Sequence, residues 1–231
     1  MKLCCAGLLA CALLAGCGDD RDPAAEPSAM ASASPPPEVP VMGREIRIVA
    51  LGDSLFAGYG LRKDESYPVK LEAALRARGI NARIANAGVS GDTSAGGLER
   101  LAFTLNSQQR LPDLVIISLG GNDMLRGLPP AQTLANLDAI LSELGRRKIP
   151  AVLMGLLAPP NLGTAYRAQF DAIYPSLAKK YDAGLVPFFL AAVADKPDQV
   201  QQDHIHPTAA GIEEIVAATA DEVAGAVKGQ T

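Results

Sequence analysis

Short apolar runs alternate with amphipathic stretches along most of this chain. The run over residues 46–51 is the first of five, and each has the length of one buried strand. The other four predicted strands cover residues 82–85, 114–117, 151–156 and 185–189. Because these runs are apolar on both faces, they predict a parallel sheet that is covered on both sides.

Between the predicted strands, apolar residues recur at the spacing of an amphipathic helix. The first predicted helix starts at Tyr67-Pro68 and stops at Gly79, which are the helix ends that proline and glycine favour. Four further stripes predict the remaining helices: Leu98, Leu101, Ala102 and Leu105; Leu134, Leu137, Leu141 and Leu144; Phe170, Ile173 and Leu177; and Ile212, Ile215, Val216 and Thr219. We expect Pro175 to kink or interrupt the helix that carries Phe170.

Strands that alternate with helices predict an α/β fold, a three-layer sandwich with right-handed crossovers. For five parallel strands we expect the flavodoxin-like order 2-1-3-4-5. In that order the first strand lies between the second and the third, and ligands bind in the crevice beyond its carboxyl end. The loops that follow the first three strands are therefore the candidates for a functional site.

Ser54 lies in the glycine-flanked stretch 52–60, directly after the first predicted strand. A serine hydroxyl is a weak nucleophile, so it needs a base and oxyanion donors. Gly88 follows the second strand and Asn122 follows the third. We predict the amides of Ser54 and Gly88 and the side chain of Asn122 as three oxyanion donors. The alternative is that both glycine-rich loops only reverse the chain.

The candidate bases are the two histidines of the chain, His204 and His206. Asp203 precedes His206 by three residues, so its carboxylate is expected to accept from Nδ1–H and to leave Nε2 toward Ser54. His204 is expected to face away, as a loop residue. Asp203, His204 and His206 are also possible metal ligands, but the remaining ligands would all have to be carboxylates, and we expect no metal.

The first 43 residues differ in composition from the rest. Residues 1–16 hold Lys2 and a short apolar run that ends at Leu14-Ala15-Gly16-Cys17, and this run is too short to cross a hydrocarbon core of about 30 Å comfortably. It resembles a lipoprotein signal peptide with a bacterial lipobox, so Cys17 is the predicted lipidation site. The alternative is a plain secretory signal. Residues 17–43, rich in Pro, Ala and Ser, predict a disordered tether.

All four cysteines of the chain lie within residues 1–17, which leaves none for a disulfide or a metal site in a domain over residues 44–231. A formal charge of −4 without a Lys/Arg cluster gives no electrostatic basis for nucleic-acid binding. We expect a monomer at the bacterial cell envelope, facing the periplasm and held to a lipid bilayer by its anchor.

Four blocks occur in the order GDSL, NAGVSGDTS, GGND and DHIHP. Together they resemble the motifs of the SGNH (GDSL) hydrolase family, over about residues 46–217. Within it the chain is most similar to the bacterial periplasmic thioesterase I, arylesterase and lysophospholipase group. The resemblance implies an SGNH hydrolase fold, Ser54 as nucleophile, Gly88 and Asn122 as oxyanion donors, and Asp203 and His206 as the rest of a triad. The lipobox and tether depart from the soluble members.

The sequence therefore predicts a serine esterase that hydrolyses carboxylic esters and acyl thioesters through an acyl-serine, without a cofactor. Residues 158–166 would form an apolar rim, with Pro159 and Leu162 as candidate substrate contacts or as packing residues. A carbohydrate deacetylase or an acyltransferase is the alternative within the family. A non-catalytic binding lipoprotein would not need nucleophile, base and donors together. A flavodoxin-like nucleotide binder is disfavoured because Asp53 would repel phosphate.

Overall fold

The computed structural model describes residues 41–228. The predicted signal segment, Cys17 and most of the predicted tether lie outside the described residues. Within the described range one parallel sheet has the order 2-1-3-4-5, so the predicted topology is confirmed. Its strands are β1 (Ile46–Gly52), β2 (Ala82–Gly88), β3 (Leu114–Ser118), β4 (Ala151–Met154) and β5 (Gly184–Val186).

Helices follow the strands and cover both faces of the sheet. They are α1 (Ser54–Ala57), α2 (Tyr67–Ala77), α3 (Ser94–Asn106), α4 (Gly121–Leu125), α5 (Pro130–Arg146), α6 (Thr164–Asp171), α7 (Ile173–Tyr181) and α8 (Ala209–Lys228). Helix α2 contacts α8 in one layer, and α3 contacts α5, which in turn contacts α7, in the other. The three central strands β1, β3 and β4 are buried almost throughout, which explains their apolar runs, whereas the edge strands β2 and β5 are mostly half-buried.

The position of β1 in the sheet brings three loops together. Gly52, the last residue of β1, pairs with Gly88 of β2 on one side and with Ser118 of β3 on the other. All three strands are parallel, so the loops that leave them emerge at the same edge of the sheet. This register places the segments after Gly52, Gly88 and Ser118 next to one another.

The expected interruption of the predicted fourth helix is present: the segment forms two helices, and the break falls at Ala172, three residues before Pro175. Proline has no N–H to donate to the carbonyl four residues earlier and its ring clashes there, so the helix is interrupted one turn upstream of the proline. Strand β2 is longer than predicted because it extends to Gly88 beside β1, and β5 is shorter, three residues instead of five.

Two residues of the predicted stripes face solvent instead of the core. Ala102 is exposed on α3, and Leu134 on α5 is 38% exposed. The neighbouring Thr104 and Thr133 are buried in their place. Thr133 donates a hydrogen bond to the buried carboxylate of Asp123, which explains why a polar residue occupies the inward-facing position.

The short helix α4 was not predicted, because five residues are too few to show a helical period. It begins in the Gly120-Gly121 turn directly after β3 and carries Asn122 in its first turn. Within residues 41–228, none of the helices combines the length and the apolar character needed to cross a bilayer.

Gly88 is required for close packing of β2 against α1. A methyl group at Gly88 would collide with the backbone nitrogen of Ala57 and lie 2.8 Å from the carbonyl carbon of Phe56. We therefore expect Gly88→Ala to lower the free energy of unfolding by about 1–3 kcal/mol, measured by urea denaturation.

The matched control is Gly145→Ala in α5, where an added methyl group meets no atom within 4 Å. This variant should gain up to about 1 kcal/mol, because alanine restricts the unfolded chain and favours helix. Equal unfolding free energies for the two variants would contradict the packing role of Gly88.

Candidate active site

Ser54 is the first residue of α1, at the carboxyl end of the central strand. Asp53 caps this short helix by accepting a hydrogen bond from the Leu55 amide at 3.0 Å, and Gly58 ends it with a left-handed backbone. The backbone amide of Ser54 has no acceptor among residues 41–228. The strand–turn–helix arrangement therefore fixes a serine hydroxyl at a helix N-terminus with a free amide beside it.

His206 contacts both Ser54 and Asp203. Its Nε2 lies 2.8 Å from Ser54 Oγ, and its Nδ1 lies 2.6 Å from Asp203 Oδ2. These distances assign the proton to Nδ1, since the carboxylate is an acceptor, and leave Nε2 to accept from the serine hydroxyl. The structure thus brings together the three predicted triad residues in a line of two hydrogen bonds.

The Asp203 carboxylate is held in its charged form. Partial burial opposes this charge, but hydrogen bonds from the His206 ring and from the amides of His206 and Ile205 outweigh it and lower the pKa of Asp203 to about 2. The carboxylate therefore remains ionised throughout the range in which a histidine base titrates.

A small loop holds Asp203 and His206. Val200 and Pro207 form an antiparallel bridge at its base, and the Gln201 amide donates to the His206 carbonyl at 2.7 Å. Between Asp203 and His206, His204 has a left-handed backbone with φ of 58°. His204 lines a neighbouring groove instead of the cleft that holds Ser54 and His206.

The oxyanion donors require one correction. The amide of Gly88 donates to Asn86 Oδ1 at 2.9 Å, and Gly88 is absent from the residues that line the cleft. Gly91, three residues later, does line the cleft, and its amide has no acceptor in the described part of the chain. The prediction of Gly88 is therefore wrong, because that glycine belongs to the end of β2 and packs against α1.

Asn122 is placed as predicted, at the cleft beside Ser54. Its Nδ2 donates to the Asp92 carbonyl at 2.9 Å and lies 3.3 Å from Asp53 Oδ2. The second contact is long for a hydrogen bond, so this amide proton is the one available to a ligand.

Sequence reasoning missed the buried polar groups that fix these loops. Asp123 is fully buried and accepts from the Ser94 amide at 2.7 Å, from the Ser94 hydroxyl and from Thr133. Arg100 pairs with Asp92 at 2.6 Å and donates to the Gly52 carbonyl at 2.9 Å. The signal in the sequence was the pair of acidic residues inside the blocks NAGVSGDTS and GGND, Asp92 and Asp123.

The cleft opens into an apolar groove. The cleft holds about 280 Å³ and the groove about 400 Å³, and they share Leu55, Gly121, Leu125 and Ile205. Other groove residues are Met124, Leu156, Leu157, Pro159, Phe188, Leu190, Val193, Ala194, Val200 and His204. The predicted contact Pro159 lies in the groove, whereas Leu162 is turned inward by the 3₁₀ turn Pro160–Leu162 and packs against the core.

Asp53 is a buried carboxylate directly behind the serine. It is 2% exposed, and burial raises its pKa to about 6 despite hydrogen bonds from Leu55 and Asn122 and the proximity of His206. Among residues 41–228, no group of three or more His, Cys, Asp or Glu side chains is arranged to hold a metal ion.

Comparisons with known proteins agree with this geometry. Residues 50–213 match the GDSL-like Lipase/Acylhydrolase family. The chain is 41% identical over 161 residues to an arylesterase of Vibrio mimicus, covering 70% of this chain and 80% of that protein. It is 41% identical over 160 residues to Thioesterase 1/protease 1/lysophospholipase L1 of Escherichia coli strain K12, covering 69% of this chain and 74% of that one.

Among solved structures, the chain is similar to AlinE4, described as an SGNH-hydrolase family esterase. The two are 65% identical with a TM-score of 0.69, over 80% of this chain and 98% of that chain. The sheet order and the helices on both faces are therefore those of an SGNH hydrolase.

Asp53 gives a prediction about stability and pH. Because its pKa is raised in the folded protein, its stabilising contribution is complete below the unfolded pKa of 3.8 and is lost as the pH rises through about 6. Two pKa units correspond to about 3 kcal/mol. We expect Asp53→Asn to be more stable than the wild type at pH 7.5 by up to that amount, with the difference vanishing near pH 4, in urea titrations across this range.

The control is Asp195→Asn, which removes an exposed carboxylate. Its unfolding free energy should follow that of the wild type at every pH. If the unfolding free energy of Asp53→Asn also follows that of the wild type at every pH, then burial does not penalise the charged form of Asp53.

Proposed function

Because this chain belongs to the GDSL-like lipase/acylhydrolase family and is a serine esterase, we propose that it cleaves carboxylic esters and acyl thioesters with apolar acyl chains through an acyl-enzyme on Ser54. The observation that carries this proposal is the 2.8 Å contact between His206 Nε2 and Ser54 Oγ at one end of an apolar groove. Nucleophile, base and acyl site are thereby adjacent.

In the acylation step, Ser54 Oγ forms a bond to the substrate carbonyl carbon while its proton passes to His206 Nε2. Asp203, ionised and bonded to Nδ1, stabilises the resulting imidazolium. The tetrahedral intermediate then breaks its bond to the leaving oxygen or sulfur, which takes the proton from Nε2. The alcohol or thiol departs and the acyl group remains on Ser54.

The negative oxygen of that intermediate needs donors, and three are supported by the geometry. The amides of Ser54 and Gly91 are free of acceptors in the described part of the chain. Asn122 Nδ2 can exchange its long contact with Asp53 for a hydrogen bond to the oxyanion. Fixed donors in a partly desolvated cleft stabilise a developing charge strongly. In the second half of the reaction, water attacks the acyl-serine with His206 again as the base.

The groove supports an acyl chain in preference to the acetyl group of a carbohydrate. Its lining is apolar apart from His204, and it begins beside Leu55 and Ile205 at the serine. Burial of each methylene there contributes about 0.8 kcal/mol. Pro159 on the rim is a proposed substrate contact; the printed names of the relatives, an arylesterase and a thioesterase/lysophospholipase, fit ester and thioester substrates of this kind.

We further propose that the enzyme acts at the bacterial cell envelope, anchored in a bilayer by lipid on Cys17 and facing the periplasm. The lipobox-like sequence before Cys17 and the Pro, Ala and Ser composition of residues 18–43 support this placement. On this proposal the segment is a tether that keeps the domain close to lipid-borne esters.

The triad roles predict a sharp difference between the two histidines. We expect Ser54→Ala and His206→Ala each to lower kcat by a factor of about 10⁶, because the triad acts as a unit. The kcat of His204→Ala should stay within a few-fold of the wild-type value. The kcat/KM of this variant should fall at acid pH over the same pH range as that of the wild type. The measurement is a pH–rate profile on one chromogenic short-chain ester.

Circular dichroism of each variant serves as the control for folding. Activity that survives in His206→Ala but is lost in His204→Ala would show that the wrong base has been chosen. Asp203→Asn should also be severely impaired, by about 10⁴ in kcat if it inverts the imidazole tautomer as in a serine protease.

The anchor is tested by membrane fractionation of the full chain. The native protein should sediment with membranes, because more than one acyl chain anchors stably, whereas Cys17→Ser should be unprocessed or released. Cys11→Ser is the matched control and should remain membrane-bound. Native protein found wholly in the soluble fraction would argue against lipidation at Cys17.

A further inference from the structure

The cleft presents a large aromatic ring beside the base. Tyr59 is 53% exposed, and its ring centroid lies 4.4 Å from that of His206 at an interplanar angle of 33°. Its hydroxyl has no hydrogen-bond partner within residues 41–228. Tyr59 lines the cleft but not the apolar groove, so it lies away from the proposed acyl chain.

Backbone hydrogen bonds hold Tyr59 to the segment that carries Ser54 and to the loop that carries His206. It stands between Gly58 and Gly60, whose left-handed φ values of 79° and 72° form a turn that L side chains disfavour. Its amide donates to the Ser54 carbonyl at 3.2 Å, and its carbonyl accepts from Gln201 Nε2 at 2.8 Å. The ring is therefore placed relative to the nucleophile and to the loop that carries the base.

The reaction geometry places the leaving group next to this ring. The proton on His206 Nε2 must reach the leaving oxygen, so the leaving group has to lie within hydrogen-bond distance of Nε2. The acyl chain occupies the groove that starts at Leu55 and Ile205. The leaving group is then directed into the remaining part of the cleft, which Tyr59 and Ser90 line.

We propose that Tyr59 forms a leaving-group subsite that is selective for planar aromatic alcohols. An aryl ring placed there packs against the exposed part of the Tyr59 ring while His206 covers the other part, and offset or edge contacts between aromatic rings are favourable beyond their buried area. This inference rests on the proposed function, because it assigns the alcohol side of the same ester. It makes Tyr59 a specificity-determining residue for aryl over alkyl esters.

A role through His206 alone makes a different prediction. An aromatic ring against an imidazolium stabilises that cation, whatever alcohol is leaving. In that case, removing the ring would slow the cleavage of all esters alike and would shift the acid limb of the pH profile. Comparing leaving groups with a common acyl group separates the two roles.

The experiment compares phenyl acetate with a fluorinated alkyl acetate whose alcohol has an acidity near that of phenol. The acyl group and the leaving-group acidity are then matched, and only the aromatic ring differs. The quantity measured is the ratio of kcat/KM for the two esters, since kcat/KM includes the acylation step. The variants are Tyr59→Leu, which keeps apolar bulk, and Tyr59→Phe, which keeps the ring.

We expect Tyr59→Leu to lower the phenyl-to-alkyl ratio by about three- to tenfold, mainly through a higher KM for phenyl acetate. Tyr59→Phe should restore the wild-type ratio, and the acid limb should be unchanged in both variants. Phe103→Leu is the matched control, because Phe103 is 77% exposed on α3 and the same substitution there should leave the ratio unchanged.

A ratio that stays constant in Tyr59→Leu would overturn the subsite, whether both rates fall together or neither falls. Wild-type enzyme that cleaves the alkyl ester but not phenyl acetate would also overturn it, while leaving the esterase activity in place. Failure of the wild type to cleave either ester would instead count against the proposed substrate class as well as the subsite.

Discussion

The parallel pairing of β1 with β2 and β3 is the constraint on which the site depends. Gly52 is in register with Gly88 and Ser118, so the chain leaves three adjacent strands at one level of the sheet. Each loop contributes one kind of group: Ser54 from the first, the Gly91 amide from the second and Asn122 from the third. A slip of one residue in either pairing would also exchange the side chains that face the two helical layers, so core packing enforces the alignment of the site.

Buried carboxylates then fix these loops with different electrostatic consequences. Asp123 accepts from Ser94 and Thr133, so its buried position is compensated by fixed donors that join the second loop to the third. Asp53 has fewer donors, and burial raises its pKa to about 6. Its charge lies behind Ser54, where it opposes a developing oxyanion. The donors at the cleft must therefore outweigh a negative charge that the fold itself places there.

Much of this arrangement follows from sequence. Periodicity predicted the strands and helices, the sheet order was the expectation for five parallel strands, and the motif blocks placed Ser54, Asn122, Asp203 and His206 in the loops. The sequence could not show which residue of a loop faces the cleft. Gly88 and Gly91 are both glycines in one block, and only the length of β2 decides which of them faces the cleft. The sequence likewise left open whether Leu162 contacts substrate or packs, because the direction of a side chain on a 3₁₀ turn depends on the core it meets.

The ring of Tyr59 was also beyond sequence reasoning, since its contact with His206 joins residues that are far apart in the chain. The same limit applies to Arg100, whose partners Asp92 and the Gly52 carbonyl come from two loops. Sequence patterns predict what each element contributes, whereas tertiary packing decides which side chains meet.

The loop that carries Asp203 and His206 is closed by its own bridge between Val200 and Pro207. The aspartate and histidine are thus brought together locally, three residues apart, and contacts with Ser54 and Tyr59 join their loop to the rest of the domain. Local opening of this loop would separate base from nucleophile while the sheet remains folded. We therefore expect the site to be disrupted and restored by local opening of this loop, at a free-energy cost below that of global unfolding.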